Sequence, residues 1–124
     1  MAHGKKVWLI PDCYRPPVYD RQKEQPYQSH DAICVLNTGD EDAVIAITLY
    51  FEDREPVAGF TASCPARRTH HIRMDHIRGA DGSQVPCGVP YAALIESSCP
   101  VVVQYSRLDA TQDNNAMMTT IAWT

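Results

Sequence analysis

The stretch AVIAITLYF, residues 43–51, decides the fold class of this chain. It is almost wholly apolar and rich in β-branched and aromatic residues, the types that fit a pleated sheet. Nine residues are too few to cross a bilayer as a helix. Alternate side chains of a strand point to opposite faces, so Ile45, Ile47, Leu49 and Phe51 share one apolar face. The stretch therefore predicts a β-strand with that face in a hydrophobic core.

Seven further short runs of similar composition lie along the chain. They are KVWLI (6–10), AICVLN (32–37), VAGFTAS (57–63), RRTHHIRM (67–74), YAALIES (91–97), PVVVQYSRL (100–108) and MTTIAW (118–123). Nine prolines and six glycines punctuate the sequence, and an apolar stripe with helical period is missing. Eight short strands at this spacing predict an all-β fold, a single antiparallel β-sandwich or jelly-roll-like barrel over residues 1–124.

The connections between these runs agree with that fold. NTGDED (37–42) and EDREP (52–56) have the residues of tight turns and predict consecutive hairpins. HIRGADGSQVPCGVP (76–90) is expected to be a long irregular loop, and loops of this length are often functional. YRPPVYDRQKEQPYQ (14–28) has no periodic apolar pattern and is expected to be an extended surface excursion.

Charge and cysteine usage narrow the class of protein. The formal net charge of −4 gives no general attraction to nucleic acid or anionic lipid, so any affinity for anions must be local. Five cysteines without a C-x-x-C pair fit neither a zinc ribbon nor a disulfide framework, which favours reduced thiols. The first residues lack an adequate signal-peptide core. We expect a cytoplasmic location.

The segment PARRTHHIRMDH, residues 65–76, gathers three arginines and three histidines in twelve positions. In a strand, Arg68, His70, Ile72 and Met74 share one face, whose far half is apolar and whose near half is charged. Burying an unpaired charge costs several kcal/mol, on the order of the desolvation penalty for an ion. The charged end must therefore pair with a carboxylate, lie at an open end of the sandwich or line a ligand site, and these alternatives stay open.

Three kinds of site are disfavoured by residue type and spacing. A metal ion needs ligands that converge, whereas His70 and His71 diverge on a strand even with Asp75 and His76 nearby, so we expect no metal and no cofactor. The basic residues lack the interleaved aromatic residues of a nucleic-acid site. A G-x-S-x-G elbow or comparable nucleophile signature is missing, so we expect no enzyme.

Binding of a polar or anionic small molecule is the remaining chemistry. Arginine offers a bidentate fork to a carboxylate or phosphate, and an aromatic ring offers a stacking platform for a sugar. We expect Arg68 and His70 to form one wall of a pocket and Arg107 a second wall, with Asp109 orienting an arginine. The candidate ligand-binding residues are Arg68, His70, Gln104, Arg107, Asp109 and Trp8.

Three blocks of the sequence resemble the sensory rhodopsin transducer family. They are SHDAICVLNTGDEDAVIAITLYFEDREPV, PARRTHHIRM and PVVVQYSRLDATQDNNAMMTTIAWT, and they cover roughly half of the chain. The resemblance implies a small cytoplasmic all-β protein that assembles as a homotetramer. It also implies docking on the cytoplasmic face of a membrane photoreceptor, whose signal the founding member of the family relays.

The same resemblance implies a second possibility. Some family members occur apart from any rhodopsin, and the wider family has been proposed to bind small molecules such as sugars. The polar positions that the resemblance carries over are Arg67, Arg68, Thr69, His70, Gln104, Arg107 and Asp109. A signalling partner of a receptor and an independent sensor of a sugar or anionic metabolite both stay open.

Overall fold

The computed structural model describes residues 2–18, 27–111 and 114–124. Its strands are β1 (Lys5–Tyr14), β2 (His30–Asn37), β3 (Ala43–Phe51), β4 (Val57–Cys64), β5 (Arg68–Arg73), β6 (Pro90–Asp109) and β7 (Ala116–Ile121). All the pairings between them are antiparallel, so the predicted all-β antiparallel fold is confirmed. Across those three ranges, the structure has no helix with the length and apolar character to cross a membrane.

Strand β6 belongs to both layers of the sandwich. Its first half lies between β3 and β1, and its second half lies between β2 and β7. The two layers are therefore β4-β3-β6-β1 and β5-β2-β6-β7, joined by one long strand. We refer to them as the first and second sheets.

The expectation of separate strands at 91–97 and 100–108 is wrong, because both runs belong to β6. Pro100 suggested a break. It lies between Ser97, the last residue paired with β3, and Val102, the first residue paired with β2. A proline lacks a ladder donor and is tolerated where a strand changes partners, so the chain continues through it.

The core fills the space between the two layers. Ile45, Ile47 and Leu49 of β3 are fully buried, as the alternation of their run predicted. Val103 and Tyr105 approach them from the second half of β6. Burying a large apolar side chain stabilises a fold by roughly 1.5–3 kcal/mol, so this alternation accounts for much of the driving force.

The loop at 76–90 is anchored more firmly than its composition suggested. Gly79 forms a bridge with Phe60 of β4. Arg15 donates from Nη1 to the carbonyl oxygen of Val85 at 2.7 Å, and the amide of Gly88 donates to the carbonyl oxygen of Arg15 at 2.9 Å. The start of the predicted excursion at 14–28 thus holds this loop through hydrogen bonds. Residues 19–26 of that excursion lie outside the described residues.

Candidate functional site

Arg68 and Arg107 lie at opposite ends of β2. Arg68 is the register partner of Asn37, and Arg107 is the register partner of Asp31. These positions are six residues apart, about 20 Å at about 3.3 Å per residue. The structure therefore does not bring the two arginines together as walls of one pocket.

Arg107 and Asp109 have local partners at their end of the sandwich. The Arg107 guanidinium lies 5.7 Å from the centre of the Tyr14 ring. Asp109 accepts hydrogen bonds from the amide and hydroxyl of Thr111, and these bonds hold the pKa of Asp109 below its usual value. Asp109 therefore stabilises the turn after β6, and no hydrogen bond or ion pair joins it to an arginine within the described ranges.

Trp8 and Gln104 lie far from a common site. The indole Nε1 of Trp8 donates to the carbonyl oxygens of Lys5 and Val101, each at 3.0 Å, and the ring is buried in the core. Gln104 is exposed on the outer face of the second sheet. Of the six candidate residues, Arg68 and His70 remain near one another on β5.

A groove opens where the two sheets part, between the edge strands β4 and β5. We call it the β4–β5 groove; it has a volume of about 430 Å³. The residues that line it are Thr61, Ala62, Ser63, His70, His71, Ile72, Arg73, His76 and Ile77. Along β4, this lining lies between Phe60, which is bridged to Gly79, and the turn at 65–67.

The imidazole of His70 is held in one orientation across this groove. Its Nδ1 lies 2.6 Å from the carbonyl oxygen of Ser63. A carbonyl oxygen can only accept a hydrogen bond, so Nδ1 carries a proton and Nε2 is left for another partner. His70 thus presents Nε2 as a polar atom to which residues 2–18, 27–111 and 114–124 give no hydrogen bond.

Arg73 is held by a carboxylate at the rim of the groove. Its Nε and Nη2 donate to the two oxygens of Asp75 at 2.9 and 2.7 Å, while Nη1 has no bond within the described part of the chain. Burial alone would raise the pKa of Asp75, but Arg73 outweighs it and holds that pKa below its usual value. His76 Nε2 lies 3.7 Å from the same carboxylate. Across the three described ranges, no three metal-ligating side chains converge here or elsewhere.

A second polar cluster is buried at the other end of the sandwich, around Asp31. Its Oδ2 accepts hydrogen bonds from the hydroxyls of Tyr91 at 2.5 Å and Tyr105 at 2.9 Å. Its Oδ1 is buried and has no hydrogen-bond partner among the residues that the structure describes. Burial raises the pKa of Asp31, although the two tyrosine hydrogen bonds act in the opposite direction. The sequence could have indicated that Asp31 is buried, because alternate residues of a strand share a face and Asp31 lies on the same face as the buried Ile33.

An apolar groove lies on the outer face of the first sheet. Its lining consists of Leu9, Ile10, Pro11, Tyr50, Ala92, Ala93 and Trp123, and its volume is about 420 Å³. We call it the Trp123 groove. Trp123 exchanges two backbone hydrogen bonds with Leu9, at 2.7 and 2.9 Å, yet its side chain is 68% exposed. The backbone thus fixes an exposed indole beside an apolar depression.

The comparisons with known proteins place this chain in a family. The model of the family described as Anabaena sensory rhodopsin transducer matches residues 3–124. The solved structure of Thermotoga maritima 1070 is 36% identical, with a TM-score of 0.79, over 98% of this chain and 95% of that one. The structure of the Anabaena sensory rhodopsin transducer is 38% identical, with a TM-score of 0.73, over 85% of this chain and 96% of that one. The search of curated proteins gives no match. The chain belongs to the Anabaena sensory rhodopsin transducer family.

Proposed function

We propose that this chain is a cytoplasmic signalling protein that binds the cytoplasmic face of a sensory rhodopsin and relays its signal by contact, without catalysis. The observation that carries the proposal is the family match over residues 3–124. The 38% identity to the Anabaena transducer supports it over 85% of the chain. Function on a shared fold depends on sites, so the proposal needs a surface that suits a partner.

The Trp123 groove is the surface that suits a protein partner. Tryptophan is enriched among the residues that dominate binding energy at interfaces, especially beside apolar depressions. Trp123 and Tyr50 are both exposed there, and Leu9 lies between them in the lining. A receptor loop that places an apolar side chain in this groove would cover the indole and exclude water.

Self-association into a homo-oligomer, with four copies as the family resemblance implies, forms part of the same proposal. All six residues of β7 are exposed, and none of them is charged. Natural edge strands are usually protected by charged residues, prolines or bulges, because their free backbone groups pair readily with another chain. An uncharged, exposed edge suits pairing with a second copy of the chain under closed symmetry.

Titration of the protein against Anabaena sensory rhodopsin in lipid nanodiscs tests the receptor contact. Trp123→Ser is expected to weaken binding by at least about tenfold, as for a residue that dominates an interface. Val44→Ser is the matched control, because Val44 is also exposed on the first sheet but does not line the groove. Equal losses in both variants would contradict the assignment of the groove. No binding of the wild type where the Anabaena transducer binds would contradict the receptor function.

A second candidate function is the binding of a sugar or anionic metabolite, independent of any rhodopsin. The β4–β5 groove supports it, because its volume falls within the range of small-molecule sites. Thermal denaturation in the presence of a metabolite library tests it. A ligand at about 100 times its Kd stabilises the native state by about 2.7 kcal/mol, which raises the melting temperature measurably. If no sugar or anionic metabolite raised it, this candidate would fail.

A further inference from the structure

We propose that the β4–β5 groove binds the oxyanion group, a phosphate or a carboxylate, of a small metabolite. The inference rests on the second candidate function and assigns it a site and a ligand chemistry. It starts from the way the sandwich is built at this edge. Strand β4 pairs with β3, and β5 pairs with β2, so the facing edges of β4 and β5 are not joined by a ladder. Their backbone polar groups are not used by a ladder between them, although the Ser63 carbonyl oxygen already accepts from His70.

The shape of the groove fits a small molecule better than a polymer. Its volume of about 430 Å³ is that of a small-molecule site. Ile72 and Ile77, two of its apolar lining residues, are buried and offer contact to the carbon part of a ligand. The described lining has no Phe, Tyr or Trp ring, the large platforms on which bases usually stack, which argues against a nucleic acid.

The groove is lined by basic side chains, although the chain as a whole is acidic. The formal net charge is −4, yet the described lining holds three histidines and one arginine and no carboxylate. Asp75, the carboxylate beside the rim, already accepts hydrogen bonds from Nε and Nη2 of Arg73 on its two oxygens. An anion in the groove therefore meets N–H groups of arginine and histidine, whereas a cation meets no carboxylate in the described lining.

Two of these side chains are oriented before any ligand arrives. The Ser63 carbonyl holds His70 through Nδ1–H, so Nε2 is an acceptor in the neutral ring and becomes a donor to an oxyanion once the ring takes up a second proton. Asp75 holds Arg73 through Nε and Nη2 and leaves Nη1 to donate. Donors fixed in this way lose little side-chain entropy on binding, which favours affinity.

The pH dependence of binding follows from the donors on each side of the groove. Strand β5 contributes His70, His71 and Arg73, and the turn after β5 contributes His76 with Asp75 beside it. Strand β4 contributes no titratable group to the described lining. An imidazole that carries two protons is a donor at both nitrogens, so the binding of an oxyanion and the binding of a second proton to His70 should favour each other.

The distribution of the five histidines provides a test within a single sample. His70, His71 and His76 line the groove, whereas His3 and His30 lie elsewhere, with their Nδ1 atoms near Thr38 Oγ1 and the Gln28 carbonyl oxygen. NMR spectra of the imidazole rings are recorded during titration with inorganic phosphate and, separately, with acetate. We expect saturable shifts of the three groove histidines at about pH 6, with His3 and His30 unchanged.

Comparison of the two probes identifies the oxyanion that the groove prefers, because phosphate and acetate differ in charge and shape. The variant His70→Ala should reduce the affinity for the preferred probe by about tenfold, whereas His30→Ala should leave that affinity unchanged. Equal shifts of all five histidines, or no shifts, would overturn the inference. Stabilisation of the protein by a neutral sugar, while neither probe shifts the NMR signals of the groove histidines, is a further outcome. That result would support the small-molecule function and contradict the oxyanion site.

Discussion

Replacing Asp31 by asparagine tests the energetic cost of the buried carboxyl group. Its Oδ2 accepts hydrogen bonds from Tyr91 and Tyr105, while its Oδ1 has no hydrogen-bond partner in the described part of the chain. No ion pair to Asp31 occurs among the described residues, even though Arg107 is its register partner. Asparagine has the same shape and can still accept from both hydroxyls, but it cannot ionise.

The sign of the effect follows from the raised pKa. Burial raises the pKa of Asp31 in the folded protein above the unfolded value of about 3.9, so folding favours the protonated form. The resulting stability is fully present below the unfolded pKa and is lost as the pH rises through the folded pKa. A buried polar group without a partner costs roughly 1–3 kcal/mol, and more if it is charged.

The stability of Asp31→Asn relative to wild type should therefore increase by about 1–3 kcal/mol between about pH 4 and about pH 8. Urea denaturation at the two pH values measures this difference, and comparison within each pH cancels the titration of other groups. Asp12→Asn is the matched control, because Asp12 is an exposed aspartate on β1. A difference that does not change with pH, or one that changes in favour of wild type, would refute the reasoning.

Three further predictions concern the backbone, an ion pair and the free edge. Gly4→Ala should destabilise the fold by at least about 2 kcal/mol in urea denaturation, because Gly4 has φ +102° and an added Cβ would lie 1.9 Å from the Val101 carbonyl oxygen. A loss below about 0.5 kcal/mol would contradict this. Asp75→Asn should lower the free energy of unfolding by about 0.5–1 kcal/mol at neutral pH, a small loss because Arg73 is partly exposed. The loss should shrink as the pH falls through the lowered folded pKa of Asp75. A cost independent of pH would count against it. Ile121→Lys should reduce the oligomeric mass in light scattering with little effect on folding, because Ile121 is exposed on β7; an unchanged mass would argue against pairing through this edge.

The sequence predicts which face of a strand is buried better than it predicts which strands are neighbours. Side-chain alternation identified Ile45, Ile47 and Leu49 as core residues, because parity is a local property of the chain. Pairing is not local. Nothing in the sequence shows that β6 continues through Pro100 and serves both sheets, because that depends on partners distant in sequence.

The candidate site shows the same distinction between parity and register. The sequence predicts that Arg68 and His70 lie on the same face of their strand as Ile72, and the structure places them so, with Ile72 buried. The distance between Arg68 and Arg107 was not, because it depends on how β5 and β6 are each aligned with β2. The groove beside His70 arises because β4 and β5 end their respective sheets, which is a feature of topology rather than composition.

The affinity of the protein for a sensory rhodopsin in darkness and in light tests the central proposal most directly. A transducer can relay a signal only if it binds the two receptor states with different affinity. We expect Anabaena sensory rhodopsin in nanodiscs to bind the protein, with a Kd that changes by about fivefold or more on illumination. A Kd that is the same in darkness and in light, or no binding under conditions where the Anabaena transducer binds, would contradict the account.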